Sequence, residues 1–169
     1  MSKIYIGIDP GKEGAIAIID NGIVAIIDTP TTEIITKQKT KKGNCKKKNL
    51  YVESAMADIL RAYQKYNIHV AIEKVHSMPK QGVSSMFSMG EGFGLWIGII
   101  VAFQLPYTKV TPQAWKKEML DGLGKEKSVS CYRAQQLFPN NEFYTPRKRA
   151  LDGRGDAVLI AEYAKRKGY

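Results

Sequence analysis

The stretch Ile4–Ala17, IYIGIDPGKEGAIA, leaves the chain few ways to fold. Lys3–Ile8 is dominated by β-branched and aromatic residues, the composition of a strand. Asp9-Pro10-Gly11 stops it with a tight turn. A second apolar run, Ala15–Ile19, follows at once. Asp20-Asn21-Gly22 then carries the Asn-Gly hairpin signal into a third run, Ile23–Ile27. Connections this short imply antiparallel pairing. The chain therefore opens as a three-stranded meander, with one carboxylate, Asp9, at the end of its first strand.

The remaining elements complete an α/β order. Tyr51–Tyr66 has helical period, with Val52, Ala55, Met56, Ile59, Leu60, Tyr63 and Tyr66 on one stripe and Asn49 as a cap. Ile68–Val75 is a short apolar strand with Glu73 near its far end. A strand reached through a helix pairs parallel to the opening sheet. Val83–Phe103 is long enough for a helix of several turns. Its glycines at 90, 92, 94 and 98 imply either close approach to a neighbouring helix or a break into two. Tyr107–Val110 is a fifth strand, and Thr111-Pro112 caps and starts a helix to about Leu120. Further helices are expected over Glu126–Phe138 and from about Asp152 to Arg166. The order β-β-β-α-β-α-β-α-α-α reads as one α/β domain of 169 residues with a mixed five-stranded sheet flanked by helices.

Charge narrows the function classes. The chain has 26 Lys+Arg against 16 Asp+Glu, a net charge of +10, which favours a polyanionic partner over mere solubility. Much of the excess lies in Asp28–Asn49, where Lys37, Lys39, Lys41, Lys42, Lys46, Lys47 and Lys48 crowd a segment without apolar periodicity. It reads as a flexible basic loop over 28–49 that neutralises phosphates and is irregular without them. Cys45 and Cys131 have neither metal-ligand spacing nor a disulfide framework, which implies a reduced, cytoplasmic protein. The N-terminus lacks a signal-peptide layout. The most apolar stretch, Leu95–Leu105, is shorter than the ~20 residues of a membrane span.

Four acids carry the chemistry. Asp9 ends the first strand and Glu73 the fourth, so parallel pairing brings both to one end of the sheet, where open α/β sheets bind ligands. Asp152 and Asp156 are four residues apart and share a helix face. Singly, each has a plain explanation: a turn residue, a strand-end charge, a helix cap and a residue complementing the helix dipole. Together they need a counter-charge, and hard oxygen ligands suit Mg²⁺, with Mn²⁺ as a substitute. Two such ions about 4 Å apart can activate water and stabilise the leaving oxygen of a phosphodiester.

IGIDPG, the AIEKV strand and the closing DGRGDAVLIAEY resemble the RuvC-like Holliday junction resolvases, and the resemblance runs over nearly the whole chain. It implies a ribonuclease H-like fold and a homodimeric endonuclease that cuts four-way DNA junctions with two symmetric nicks, leaving 5′ phosphates. Asp9, Glu73, Asp152 and Asp156 match the metal-binding acids. AWKKEML and GKEKS resemble the family's basic segment, which makes Lys116 and Lys127 candidates beside the scissile phosphate. The helix from Gly90 to Phe103 sits where the family dimerises. His76, Lys80, Arg147 and Lys148 join the lysines of the basic loop as candidate DNA contacts.

The sequence also departs from the family pattern. His76 stands where bacterial members have an aromatic residue, and the last two acids are four apart rather than three. With the very basic loop, these departures imply a compact bacteriophage-type member, acting in the host cytoplasm, with broad taste for branched DNA. Three rival readings remain. The first is a general branched-DNA or flap nuclease, the second a branched-DNA-binding protein that does not cut. The third is an actin-like ATP-binding module, which would need a second similar domain.

Overall fold

The central sheet is built on β1 (Ile4–Ile8), which pairs antiparallel with β2 (Ala15–Asp20) and parallel with β6 (Ile68–Glu73). β3 (Ile23–Asp28) extends one edge and β7 (Tyr107–Val110) the other, giving the order β3-β2-β1-β6-β7. The computed structural model describes residues 2–39, 43–76, 82–124, 126 and 128–169. Lys41, Lys42, Lys80 and Lys127 lie outside the described residues.

Period-two alternation divides the core between the two faces of this sheet. Ile4, Ile6 and Ile8, with Ile16, Ile18, Val70 and Ile72, pack against α1 (Glu53–Arg61) and α2 (Val83–Ala102). The opposite face, with Ala15, Ala17, Ile19 and Ala71, takes α5 (Asp152–Lys167) through Ala157, Val158, Ala161 and Ala164. α3 (Pro112–Met119) and α4 (Val129–Leu137) pack beside α5 through Trp115, Met119, Cys131 and Ala134. The mixed five-stranded sheet flanked by helices is the fold expected from the sequence.

The segment expected to be an irregular loop is an antiparallel hairpin. β4 (Thr31–Lys39) pairs with β5 (Cys45–Tyr51) in a sheet of its own, with Thr31 opposite Tyr51 and Ile34 opposite Lys48. Both faces of an isolated ribbon are solvated, so its lysines splay into water instead of forcing the backbone apart. Thr31, Thr32, Ile34, Ile35 and Thr36 supply the β-branched side chains that favour a strand. Lys47 relieves part of the charge by pairing with Glu33 at 2.8 Å.

Other boundaries shift for local reasons. Tyr51 ends β5, so Asn49 is a strand residue rather than a helix cap; α1 starts after Val52 and ends at Arg61. α4 begins at Val129, later than the expected Glu126. α2 is one unbroken helix of 20 residues. Only Gly92 among its glycines serves a close approach, and additional Cβ atoms at Gly90, Gly94 and Gly98 would meet open space. The 20 residues of α2 are long and apolar enough, by length and composition, for a membrane span, unlike the shorter stretch singled out from sequence. Its Gly92, Trp96 and Ile100 are buried.

The first turn of α5 contains two glycines, which alone would weaken a helix by roughly 1 kcal/mol each. Contact on both sides requires them. A Cβ at Gly153 would sit on the Glu13 carbonyl oxygen, and one at Gly155 would press on the backbone of Ser130 and Cys131. α5 is thereby wedged between the turn after β1 and the start of α4, with Gly14 bridged to Gly153. We expect Gly153→Ala to destabilise the fold by about 1–3 kcal/mol, the range for overpacking. A lowered urea midpoint with an unchanged slope would register it.

Candidate active site

The register of β1 and β6 sets the first pair of acids. Ile8 lies opposite Ile72, so the next residues, Asp9 and Glu73, leave adjacent parallel strands at the same end. Neighbouring strands are only about 4.8 Å apart. The wedge of α5 brings Asp156 to the same point. Asp9 is pushed up to about 7 by its burial first, then by the charges of Asp156 and Glu73. Asp156 is pushed up to about 6 by burial, with Glu73 and Asp152 adding to it. Four carboxylates therefore share one electrostatic neighbourhood.

Their immediate partners are neutral donors. The Gly11 amide donates to Asp9 Oδ1 at 3.3 Å, and the Trp115 indole Nε1 donates to Glu73 Oε1 at 2.9 Å. The Cys131 thiol lies 3.8 Å from Asp152 Oδ1, and Ser130 is near enough to Asp156 to draw its pKa down. Burial, followed by Asp152, pushes the Cys131 thiol up to about 12, so it remains protonated and a donor. These contacts orient the carboxylates without cancelling their charge. Among the described residues, Lys116 is the cation that draws both Asp9 and Asp156 down.

The obvious neutraliser, Arg154, is engaged elsewhere. It lies between the two acids of DGRGD, yet its guanidinium grips Asp28 at the end of β3 in a bidentate pair of 2.6 and 2.7 Å. That pair ties α5 to the sheet edge and leaves Asp152 and Asp156 without its charge. Asp152 is the first helical residue; the N-cap is Leu151, so the cap role considered from sequence does not apply.

All four acids offer hard oxygen donors, and among the described residues Lys116 offsets only part of their mutual repulsion. That donor set fits a divalent cation of the Mg²⁺ or Mn²⁺ kind. Among the described residues, no three His, Cys, Asp or Glu side chains already close to the spacing of a formed metal cage. A cleft of about 630 Å³ reaches Asp152 and Asp156 from the side of α3 and α4, and Lys116, Lys117 and Ser130 also line it.

The other candidates are dispersed. Lys37, Lys39, Lys46, Lys47 and Lys48 are exposed on the hairpin. His76 is exposed just beyond β6, and Arg147 and Lys148 are exposed in the loop before α5. Trp115 and Ser130 were not singled out from sequence. Trp115 stands beside Lys116 on an amphipathic helix, where a tryptophan reads as core. Ser130 carries no sequence signal at all.

The architecture has solved counterparts. The structure of Thermus thermophilus RuvC in complex with a Holliday junction substrate superposes with a TM-score of 0.60, covering 99% of this chain and 97% of that one at 12% identity. A second Thermus thermophilus RuvC structure gives a TM-score of 0.55 over 98% and 96% of the two chains, at 13% identity. The fold is RuvC-like. No protein-family model matches the sequence, and no curated protein matches it at a significant level.

The acids of this RuvC-like fold make its stability depend on pH. Asp9 and Asp156 start near 3.8 in the unfolded chain and titrate at about 7 and about 6 when folded. The folded protein binds more protons between those values, so stability falls as pH rises from about 4 to about 7. Metal-free Asp9→Asn is expected to melt several degrees above wild type at pH 8, the difference closing near pH 4. Melting curves with chelator present across that range measure it; a difference independent of pH would contradict the electrostatic origin.

Proposed function

We propose that the protein is a metal-dependent, structure-selective endonuclease that resolves four-way DNA junctions. The observation that carries this reading is the cluster of half-buried acids Asp9, Glu73, Asp152 and Asp156, three of them contacted by neutral donors, at the end of a RuvC-like sheet. Such a cluster makes sense in a protein of net charge +10 when its purpose is to hold cations against a polyanion.

Asp9, Glu73, Asp152 and Asp156 would hold Mg²⁺ or Mn²⁺, which when bound supplies an activated water and stabilises the leaving oxygen. Trp115 fixes the rotamer of Glu73, so that carboxylate is preorganised before substrate arrives. Lys116 offsets the negative charge that develops on the phosphate. The hairpin lysines, with Arg147 and Lys148, neutralise backbone phosphates and give binding a steep salt dependence. Their contacts position the DNA without reading its sequence. Paired nicks require two copies of the chain, and we infer a homodimer.

We expect Asp9→Asn to bind a four-way junction with wild-type affinity in Ca²⁺ and to cut it at least ~10³-fold more slowly in Mg²⁺, the scale for loss of a group acting in the transition state. A panel of four-way, three-way, flap and linear duplexes at fixed salt tests selectivity. Equal cutting of all branched forms favours the general branched-DNA nuclease. Tight binding with no nicks in either metal favours a non-cleaving binder. Undiminished cutting by Asp9→Asn would end the reading.

A further inference from the structure

Both legs of the basic hairpin are rooted in the Asp9–Gly14 turn. On the outgoing leg, the Thr29 amide donates to the Gly14 carbonyl at 3.0 Å. On the returning leg, the last strand residue is Tyr51, whose hydroxyl reaches the Pro10 carbonyl at 3.3 Å and the Ser88 carbonyl of α2 at 3.2 Å. The roots are tied to each other by the Thr31–Tyr51 pair and by the Val52 amide on the Pro30 carbonyl at 3.0 Å.

Tyr51 brings a hydroxyl into an apolar cluster that includes Ile8, Ile16, Met56 and Trp96. A phenylalanine would fill most of that space, so the hydroxyl adds a buried polar group that must be bonded. Room for it has been made at a cost to α2. A Cβ at Gly92 would sit on both the Tyr51 hydroxyl and the Pro10 carbonyl oxygen. Lys12, inside the same turn, lies 4.9 Å from the centre of the Tyr51 ring and pairs with Glu91 of α2 at 3.5 Å. Hairpin root, turn and helix therefore meet around one phenol. Its pKa is pushed up to about 12, chiefly by burial, so it stays a donor.

Of the two carbonyls that share the single Tyr51 hydroxyl proton, one belongs to the Pro10–Gly11 peptide. The amide of that same peptide donates to Asp9 Oδ1. A peptide unit is planar and rigid, so its carbonyl and amide cannot turn independently. Tyr51 grips one side of the plane and the Asp9 carboxylate is gripped by the other.

We propose that Tyr51 is a positioning residue for Asp9, acting through the Pro10–Gly11 peptide plane and so tying the setting of that carboxylate to the seating of the basic hairpin. The inference rests on the nuclease reading for its consequence in catalysis, though not for the linkage itself. Two measurements separate them. In metal-free protein, Tyr51→Phe should speed exchange of the Gly11 amide about 10-fold while the hairpin and sheet amides keep their protection, the effect of losing one hydrogen bond. In the same variant, Mn²⁺ binding measured calorimetrically without DNA should weaken several-fold. With a four-way junction, kcat should fall about 10-fold while KM stays within twofold, as when an interaction made in the transition state is lost. Unchanged Gly11 exchange and unchanged Mn²⁺ affinity would overturn the proposal. So would a junction-cutting wild type whose kcat the substitution leaves alone. Faster Gly11 exchange in a protein that cuts no DNA upholds the linkage and fails the nuclease reading instead.

Discussion

Parallel pairing of β1 with β6 forces two carboxylates into adjacency, and much of the surrounding structure answers to that repulsion. Asp9 and Glu73 cannot separate, because Ile8 and Ile72 are locked in register inside the core. α5 then adds Asp152 and Asp156 to the same end. Burial first, and then the neighbouring carboxylates, make Asp9 and Asp156 hold protons to unusually high pH. A fold seeking only stability would have neutralised them. Instead Arg154 is drawn off to Asp28, and three of the acids are steadied by an amide, an indole and a thiol. Stability is given up locally so that a charge deficit is held ready.

Much of the architecture was legible in the sequence because it depends on short-range patterns. Asn21-Gly22 marks a hairpin, Thr111-Pro112 a helix start, and the IHVAIE run a buried strand reached by a helix. Adjacency of Asp9 and Glu73 followed from topology alone. The basic segment was misread for a physical reason. Charge density argues against a packed element, and the hairpin is not packed; it is a ribbon in water, stabilised by β-branched side chains and its own ladder. Asn49 has the chemistry of a cap, but it lies inside the strand that precedes the helix.

The remainder was illegible because it arises from contacts between distant segments. Nothing local shows that Trp115 will meet Glu73, forty-two residues earlier, or that Gly92 leaves room for Tyr51. The glycines of DGRGD invited a reading as helix weakness, whereas they allow α5 to enter between two backbones. The glycines of α2 look alike in sequence and divide in the fold: one is filled by a tyrosine hydroxyl, three face outward.

Rooting a hairpin at its base while its described lysines stand in water separates two kinds of change. Among the described residues, Gly43 and Cys45 are exposed and take no part in the contacts around the acids, so their identity is free to drift. Residues at the root have no such freedom. A chain built this way can change its outer ribbon without disturbing the setting of its acids, and variation among related sequences should be steep along the ribbon, falling towards Thr29 and Tyr51.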